Sequence, residues 1–483
     1  MIALTLGEIA ELVGGSVEPL DASGIVVTAP ASVDSRQMAV GGLFVAALGE
    51  HVDGHDYVGA ALAAGAAGSL VTRDVEGQHV VVDDVVAALG RLARAVVDRL
   101  VLSGELQVIA LTGSSGKTNT KDLLAQTLQE LGPTVATEGN FNNELGVPLT
   151  ALVADESTRH LVLEMGARVV GDIAYLTGVA PPRIGLVLNV GAAHAGEFGS
   201  KAATARAKSE LVRALPSAAD GGVAVLNVDD ALVAAMADVT SARVVTFGAG
   251  TGADVRADDV TLDPQSRPSF VLTTSGAASP GRPLPSATVS LRVHGAHQVS
   301  NALGVAAVAL ALGMSVADVA AALSRAEPRS RWRMQVTHRP DGVTVVNDAY
   351  NANPDSMRAG LEALVAMGQA SGGRTWAVLG EMLELGAASD AEHAEIGRLT
   401  RKLGVDRLVV VGEGARRIYD GAVAGGARAG EDSVAVSDSE AAHSLLRDAL
   451  RPGDLVLFKS SRAAGLRWLG DVVAEEVAEG IDP

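Results

Sequence analysis

Cysteine is absent from this chain, which excludes disulfides and thiol chemistry and suits a reducing compartment. Aromatic residues are scarce, at 3% of 483 residues, yet 48% are hydrophobic, so the chain can build sizeable cores, largely from small aliphatic side chains. Positive charge is in deficit. Against 57 Asp and Glu there are 38 Lys and Arg, and the net charge of −19 argues against a nucleic-acid or anionic-membrane partner. An anionic substrate would need local positive sites acting against that global field. No apolar run reaches membrane-spanning length, and Met1 to Gly14 carries Glu8 and Glu11 without a basic start, so neither a membrane segment nor a signal peptide is expected. A soluble, cytoplasmic protein of two or three domains is the expectation.

The most informative stretch is Thr112-Gly113-Ser114-Ser115-Gly116-Lys117-Thr118. The apolar run Val108 to Leu111 leads into it and a helical pattern from Asn119 to Leu131 follows: strand, glycine-rich turn, helix N-terminus. Such a turn aims several backbone N–H groups at one spot, where the helix dipole adds positive charge. Gly113, Ser114, Ser115 and Gly116 then cradle phosphates, Lys117 reaches the β- and γ-phosphates of ATP, and the Thr118 hydroxyl holds Mg²⁺. Leu111 stands where the longer form of this motif has glycine, so the loop is the short G-x-x-G-K-T form.

Three segments separate, at 1–104, 105–328 and 329–483. The first mixes short strands (Gly24 to Val27, Gly42 to Ala46, Ser69 to Val71) with helices from Tyr57 to Ala67 and Val85 to Leu102, ending at Ser103-Gly104. The second alternates apolar strands (His160 to Leu163, Ile184 to Asn189, Val223 to Leu226) with helices, as in a buried parallel sheet. Hairpin-like alternation follows from Asp254 to Val293, then a helix from Ser300 to Leu312. Glu327 to Ser330 reads as a linker. The third segment alternates again, with strands at Val343 to Val346, Trp376 to Leu379, Leu408 to Val411 and Leu455 to Phe458. The fold class is α/β in three domains: a small mixed N-terminal one, a central P-loop ATPase-like domain with a parallel sheet, and a Rossmann-like C-terminal one.

Two sites carry a chemical reading of their own. Glu164, ending a strand at Glu164-Met165-Gly166, offers a hard oxygen ligand for Mg²⁺ beside Thr118. Asn140, Asn142 and Asn143 lie in a loop suited either to turn chemistry or to polar substrate.

The phosphate loop, Thr137 to Pro148, Glu164-Met165-Gly166, Asn189-Val190-Gly191 with His194, Ala207-Lys208-Ser209-Glu210, His297 to Ala302, Arg333, Asp348 to Pro354 and Lys459 to Arg462 follow one another in an order that resembles the Mur ligase family of ATP-dependent amide-forming enzymes. The resemblance covers essentially the whole chain. Within the family it is most similar to the branch that adds D-alanyl-D-alanine to a UDP-N-acetylmuramoyl tripeptide. Asn119-Thr120-Lys121 after the loop and Tyr350 to Pro354 carry that likeness. Asp34-Ser35-Arg36 and Asp53 to Tyr57 are shared with the branch that adds the third peptide residue, whose Asp-Asn-Pro-Arg motif is missing here. Two positions depart from the family: Trp332 stands before Arg333, and Ser460 follows Lys459, where glycine is usual.

The resemblance implies an acyl phosphate made from ATP and opened by an amine, and it implies roles. His194 becomes a second-metal ligand. Lys208, ordinarily a solvated helix lysine, becomes a CO₂-derived carbamate that ligates or positions the second Mg²⁺. Asn301, otherwise a helix cap, goes to the adenine edge, while Arg333 and Asp348 bring phosphate and ribose contacts from the third domain. Ser35 and Arg36 go to the uridine diphosphate end, and Tyr350 and Asn353, with the asparagine loop, to substrate. A monomer is expected. Two alternatives stay open: the third-residue ligase, and a P-loop nucleotide-binding module without ligase activity.

Overall fold

The structure is a computed structural model and describes residues 1–49, 52–191, 200–275 and 285–476. Three main sheets follow one another along the chain. In the first, strands run in the order Ser16–Glu18, His79–Val81, Gly68–Val71, Leu43–Val45, all parallel except the first.

The second sheet has nine strands in the order Ser286–Ser290, Pro268–Thr274, Val255–Leu262, Arg243–Gly248, Val223–Asn227, Ile184–Val187, Gln107–Thr112, His160–Glu164, Thr134–Ala136. From Val255–Leu262 onward all are parallel, and the other two extend one edge as an antiparallel meander. The parallel strands are apolar on both faces because helices cover both. In the Gln107–Thr112 strand, Val108 and Ala110 join the core beneath one face, Ile109 and Leu111 the core above the other. The third sheet is ordered Gln335–His338, Thr344–Asn347, Leu455–Lys459, Thr375–Leu379, Arg407–Val411, Ser433–Val436, with only its first strand antiparallel.

The Val85–Leu102 helix joins the first two regions. Asp84 caps it by accepting from the Val86 and Ala87 N–H groups at 2.8 and 3.0 Å. It packs on the Leu6–Val13 helix on one side and on the Gly146–Ala151 and Asp172–Val179 helices on the other. One apolar core therefore runs from Met1 to Ala242.

Local expectations shift in the first region. Tyr57 to Ala67 is not one helix: a 3-10 turn, Gly54–Tyr57, leads into Val58–Ala63, and Gly65 at φ 105° ends it. Only Val26–Val27 of the strand expected from Gly24 forms, because Leu20–Gly24 is a 3-10 turn. The Asp53-Gly54-His55 motif is structural. Buried His55 accepts from the Thr72 N–H through Nε2 (3.0 Å), which leaves Nδ1–H to donate to Asp53 (2.7 Å).

Candidate active site

The parallel strands of the second sheet end at a common edge, and three of their ends supply the phosphate-loop surroundings. The Lys117–Leu128 helix follows directly on Gly116, two residues earlier than its pattern suggests. Gly116 has φ 80°, and a side chain there would meet Asn301 Oδ1, so only glycine serves. Asn189, just past the Ile184–Val187 strand, accepts from the Ser114 and Ser115 N–H groups at 3.0 Å each and donates to the Ser115 carbonyl at 3.2 Å. Lys117 Nζ donates to the Gly113 carbonyl at 2.7 Å. The buried Ser114 hydroxyl lines the cleft and has no hydrogen-bond partner among the described residues, which makes it a donor for a ligand oxygen.

Glu164 is buried at the end of its strand. Its Oε2 accepts from the Thr118 hydroxyl at 2.9 Å, its Oε1 from Asn142 Nδ2 at 2.7 Å, and its own N–H donates to Thr137 Oγ1 at 3.1 Å. Thr118 and Glu164 thus meet at the strand edge where the end of the Glu164 strand is expected to emerge. Among the described residues no group of three or more His, Asp or Glu side chains gathers for a metal. One carboxylate and one hydroxyl suit Mg²⁺, which keeps waters and shares substrate phosphates.

Lys208 overturns the solvated-lysine picture. It lies on the Lys201–Arg213 helix in the same stripe as Thr204, Ala207 and Leu211, and is 3% exposed. Burial, and then the neighbouring Lys117 charge, push its ammonium well below the ordinary lysine range. Among the described residues no carboxylate offsets these two effects. Burial likewise lowers Lys117, with Glu164 opposing and Arg333 adding to the shift.

The third region reaches the same cleft, of about 1190 Å³, lined by Lys117, Glu164, Lys208, Asn301, Arg333, Asp348, Tyr350, Asn353, Lys459 and Arg462 among others. Asp348 and Lys459 stand at the ends of adjacent parallel strands and pair at 2.6 Å, the lysine buried and the carboxylate half-buried, while Asp348 Oδ1 also accepts from the Met334 N–H at 3.0 Å. Arg333 lies over the Tyr350 ring at 4.3 Å. Trp332 has φ 60°, which explains the family's glycine. The tryptophan is held by Tyr350 (stacked, 6.4 Å), Trp468 (edge-on, 5.0 Å) and an Nε1–H bond to Asp471 (2.9 Å). Ser460 fits because Gly380, opposite, leaves room for its Cβ.

Other expected residues divide. Asn301 is no cap: the Gln298–Ala311 helix starts three residues before it, and its amide donates to Gln298 Oε1 at 2.9 Å beside the phosphate loop. Asn140, Asn142 and Asn143 line the cleft, but Asn143 also accepts from the Gly146 N–H (3.0 Å), and Asn353 caps the Pro354–Ser371 helix through Ser356 (2.9 Å). Ser35 and Arg36 do not line it. They form a 3-10 turn beside Val33, which does, and Arg36 pairs with Asp34 at 2.8 Å in solvent. His194 lies outside the described residues. Asn189 had no role from sequence alone, although a polar residue closing an apolar strand at the loop's own edge was a usable signal.

Family models match three stretches: "Mur ligase family, catalytic domain" over 31–99, "Mur ligase middle domain" over 111–309, and "Mur ligase, glutamate ligase domain" over 332–462. The chain is 49% identical over 522 aligned residues, covering 100% of both, to the UDP-N-acetylmuramoyl-tripeptide--D-alanyl-D-alanine ligase of Mycobacterium tuberculosis. It is 33% identical to the Escherichia coli protein of the same name, with 86% of this chain and 88% of that one covered. Among solved structures, MurF from Acinetobacter baumannii superposes with TM-score 0.85 at 32% identity, covering 99% of this chain and 100% of that one. MurF from Thermotoga maritima in complex with ADP gives 0.77 at 29% identity, with 93% and 98% covered.

Proposed function

The chain belongs to the Mur ligase family, and we propose that it uses ATP to join D-alanyl-D-alanine to a UDP-N-acetylmuramoyl tripeptide. The observation that carries this is the convergence of Lys117, Lys208 and Arg333 on a glycine-rich helix start, facing Thr118 and Glu164, within a cleft shared by all three regions. In that arrangement Lys117 and Arg333 neutralise phosphate charge.

The reaction has two steps. A terminal oxygen of the tripeptide carboxylate takes the γ-phosphoryl group of ATP, and ADP leaves. The amine of D-alanyl-D-alanine then attacks the acyl carbon, phosphate departs with the bonding electron pair, and the ammonium formed loses a proton. The protein's part is positioning and charge stabilisation. Lys117 and Arg333 balance the phosphoryl oxygens, while the N–H groups of the first turn of the Lys117–Leu128 helix and the Ser114 hydroxyl donate to them. Thr118 and Glu164 would hold Mg²⁺, which supplies Lewis-acid neutralisation of the phosphates when bound.

Lys208 fits a carbamate. Burial that disfavours the ammonium favours the free amine, a nucleophile toward CO₂; a C–N bond forms and a proton is released, turning a disfavoured cation into an anion near Lys117. His194 is proposed as a ligand of a second Mg²⁺. Asn301 and Asp348 are assigned to adenine and ribose, Asn140, Asn142, Asn143, Tyr350 and Asn353 to the peptide substrate, and Ser35 and Arg36 to uridine diphosphate. The working units are 1–104, 105–328 and 329–483, in a cytoplasmic monomer. Among the described residues no helix is long and apolar enough to cross a membrane.

The test is the mass of the product formed from ATP, the muramoyl tripeptide and D-alanyl-D-alanine, with one ADP and one phosphate released per product. Diaminopimelate joined to the muramoyl dipeptide instead, or ATP turnover without an amide, would overturn the assignment.

A further inference from the structure

The segment that leads from the second region to the third is pinned along the outer side of the phosphate-loop helix. Glu327 bonds Gln126 in both directions, its N–H donating to Oε1 at 3.0 Å and its carbonyl accepting from Nε2 at 2.9 Å. Arg325 pairs with Glu130 at 2.8 Å. Ser330, three residues before Arg333, donates its hydroxyl to Asp122 Oδ2 at 2.5 Å. The gap left between this segment and the helix is about 10 Å³, no more than one water needs.

Asp122 leads inward. Its other oxygen pairs with Lys121 Nζ at 2.7 Å, and Lys121, at 3% exposure, donates to the Thr137 carbonyl at 2.6 Å. Thr137 in turn accepts the Glu164 N–H through Oγ1. Lys121 and Asp122 stand one turn beyond Lys117 and Thr118, so the chain of contacts leaves the same helix that holds the phosphate-loop residues. A buried ion pair is a poor source of stability, because desolvation offsets the attraction, and its better-attested use is to fix one geometry among several. Here the geometry fixed is the seat of the connecting segment at one end and the strand end of Glu164 at the other.

We propose that Ser330, Asp122 and Lys121 are positioning residues that seat Arg333 against the phosphate loop in register with Glu164. This rests on the ligase reading for its consequence in catalysis. None of the three lies on the reacting atoms; they act through Arg333 and Glu164.

A double-mutant cycle between Ser330→Ala and Arg333→Ala tests it, read on ATP affinity by calorimetry and on kcat of ligation. Ser330→Ala deletes one hydroxyl. With Arg333 present it weakens ATP binding and lowers kcat, each on the order of tenfold, the usual effect of losing a hydrogen bond to a charged group. In the Arg333→Ala background it adds nothing, because its effect runs through Arg333. Asp122→Asn behaves the same way, while Arg333→Lys restores part of the sensitivity to Ser330→Ala. A Ser330→Ala protein with unchanged affinity and kcat overturns the proposal, as does an equal loss in both backgrounds, which a merely structural role produces. If the wild type binds ATP but forms no amide, the ligase reading fails, and the calorimetric cycle still decides whether the relay exists.

Discussion

Lys208→Met separates stability from activity, and the sign follows from burial. In the unfolded chain the ε-amino group keeps its proton up to about pH 10.5, the ordinary value. In the folded protein burial and the Lys117 charge lower that pKa well below 10.5. Between the two values the unfolded state holds one proton more, so stability rises with pH, by about 1.4 kcal/mol per unit. Below the folded value the penalty is complete, and above about pH 10.5 it is gone. Methionine fills similar volume without charge. The variant is therefore more stable than the parent at neutral pH in CO₂-stripped buffer, and in the upper part of the window its advantage shrinks by about 1.4 kcal/mol per pH unit. Calorimetric unfolding of both proteins, pair by pair at each pH, measures this. A variant less stable than the parent throughout, or a gap that ignores pH, refutes the reasoning.

The same position decides the carbamate. Lys208→Ala loses nearly all ligation, and acetate partly restores it because two oxygens re-enter the vacated place, whereas chloride at equal ionic strength does not. Full activity of the alanine variant, or equal rescue by both salts, returns Lys208 to a buried lysine with no part in the chemistry. Three further outcomes follow from single contacts. Lys117→Ala lowers kcat on the order of 10³-fold or more, since a charge on the transferring phosphoryl group is lost while Asn189 still shapes the loop; near-normal turnover under saturating ATP contradicts the assignment. Asp348→Ala strands the buried Lys459 charge and costs about 3–5 kcal/mol, and adding Lys459→Met recovers most of it, as denaturant midpoints of the single and double variants show. At position 332 the usual order of alanine over glycine inverts: Trp332→Gly is more stable than Trp332→Ala by about 1 kcal/mol, because both lose the ring packing and only glycine relaxes the φ of 60°. Equal melting temperatures for these two variants count against strain at that residue.

The phosphate loop was legible because its chemistry is local: a strand, two glycines, a lysine and a threonine within a dozen residues. Glu164 was legible for a related reason, since a carboxylate ending an apolar strand must emerge at the ligand-binding edge. For Lys208 composition alone offered the solvated reading, and only the resemblance pointed inward; the burial of its neighbours Thr204, Ala207 and Leu211 on one helix face was a signal left unused. Asn301 was misplaced because the helix starts at Gln298 without a side-chain cap to announce it. Ser35 and Arg36 sit outside the cleft lining, and a two-residue motif holds no information on which way its turn faces. The tie between Ser330 and Asp122 could not be read at all: 208 residues separate partners that only the packing of two regions brings together.

Arg333 shows how those long-range ties and local strain combine. Its two neighbours, Trp332 and Met334, both adopt positive φ, at 60° and 52°. Each such residue costs on the order of 1–3 kcal/mol and persists only where surroundings over-determine it. The surroundings are visible: the Trp332 N–H donates to Gln335 Oε1, its carbonyl accepts from the Tyr350 N–H, and the Met334 N–H donates to Asp348. Asp348 is in turn fixed by Lys459, and Tyr350 carries the Arg333 guanidinium. A relaxed segment after the linker would let Arg333 sweep a wide arc. The kinked one leaves it a single direction, set from behind by the seat of Ser330 and from ahead by the Asp348–Lys459 pair. Tryptophan is tolerated where glycine is usual because it exchanges backbone ease for ring contacts that hold the same kink.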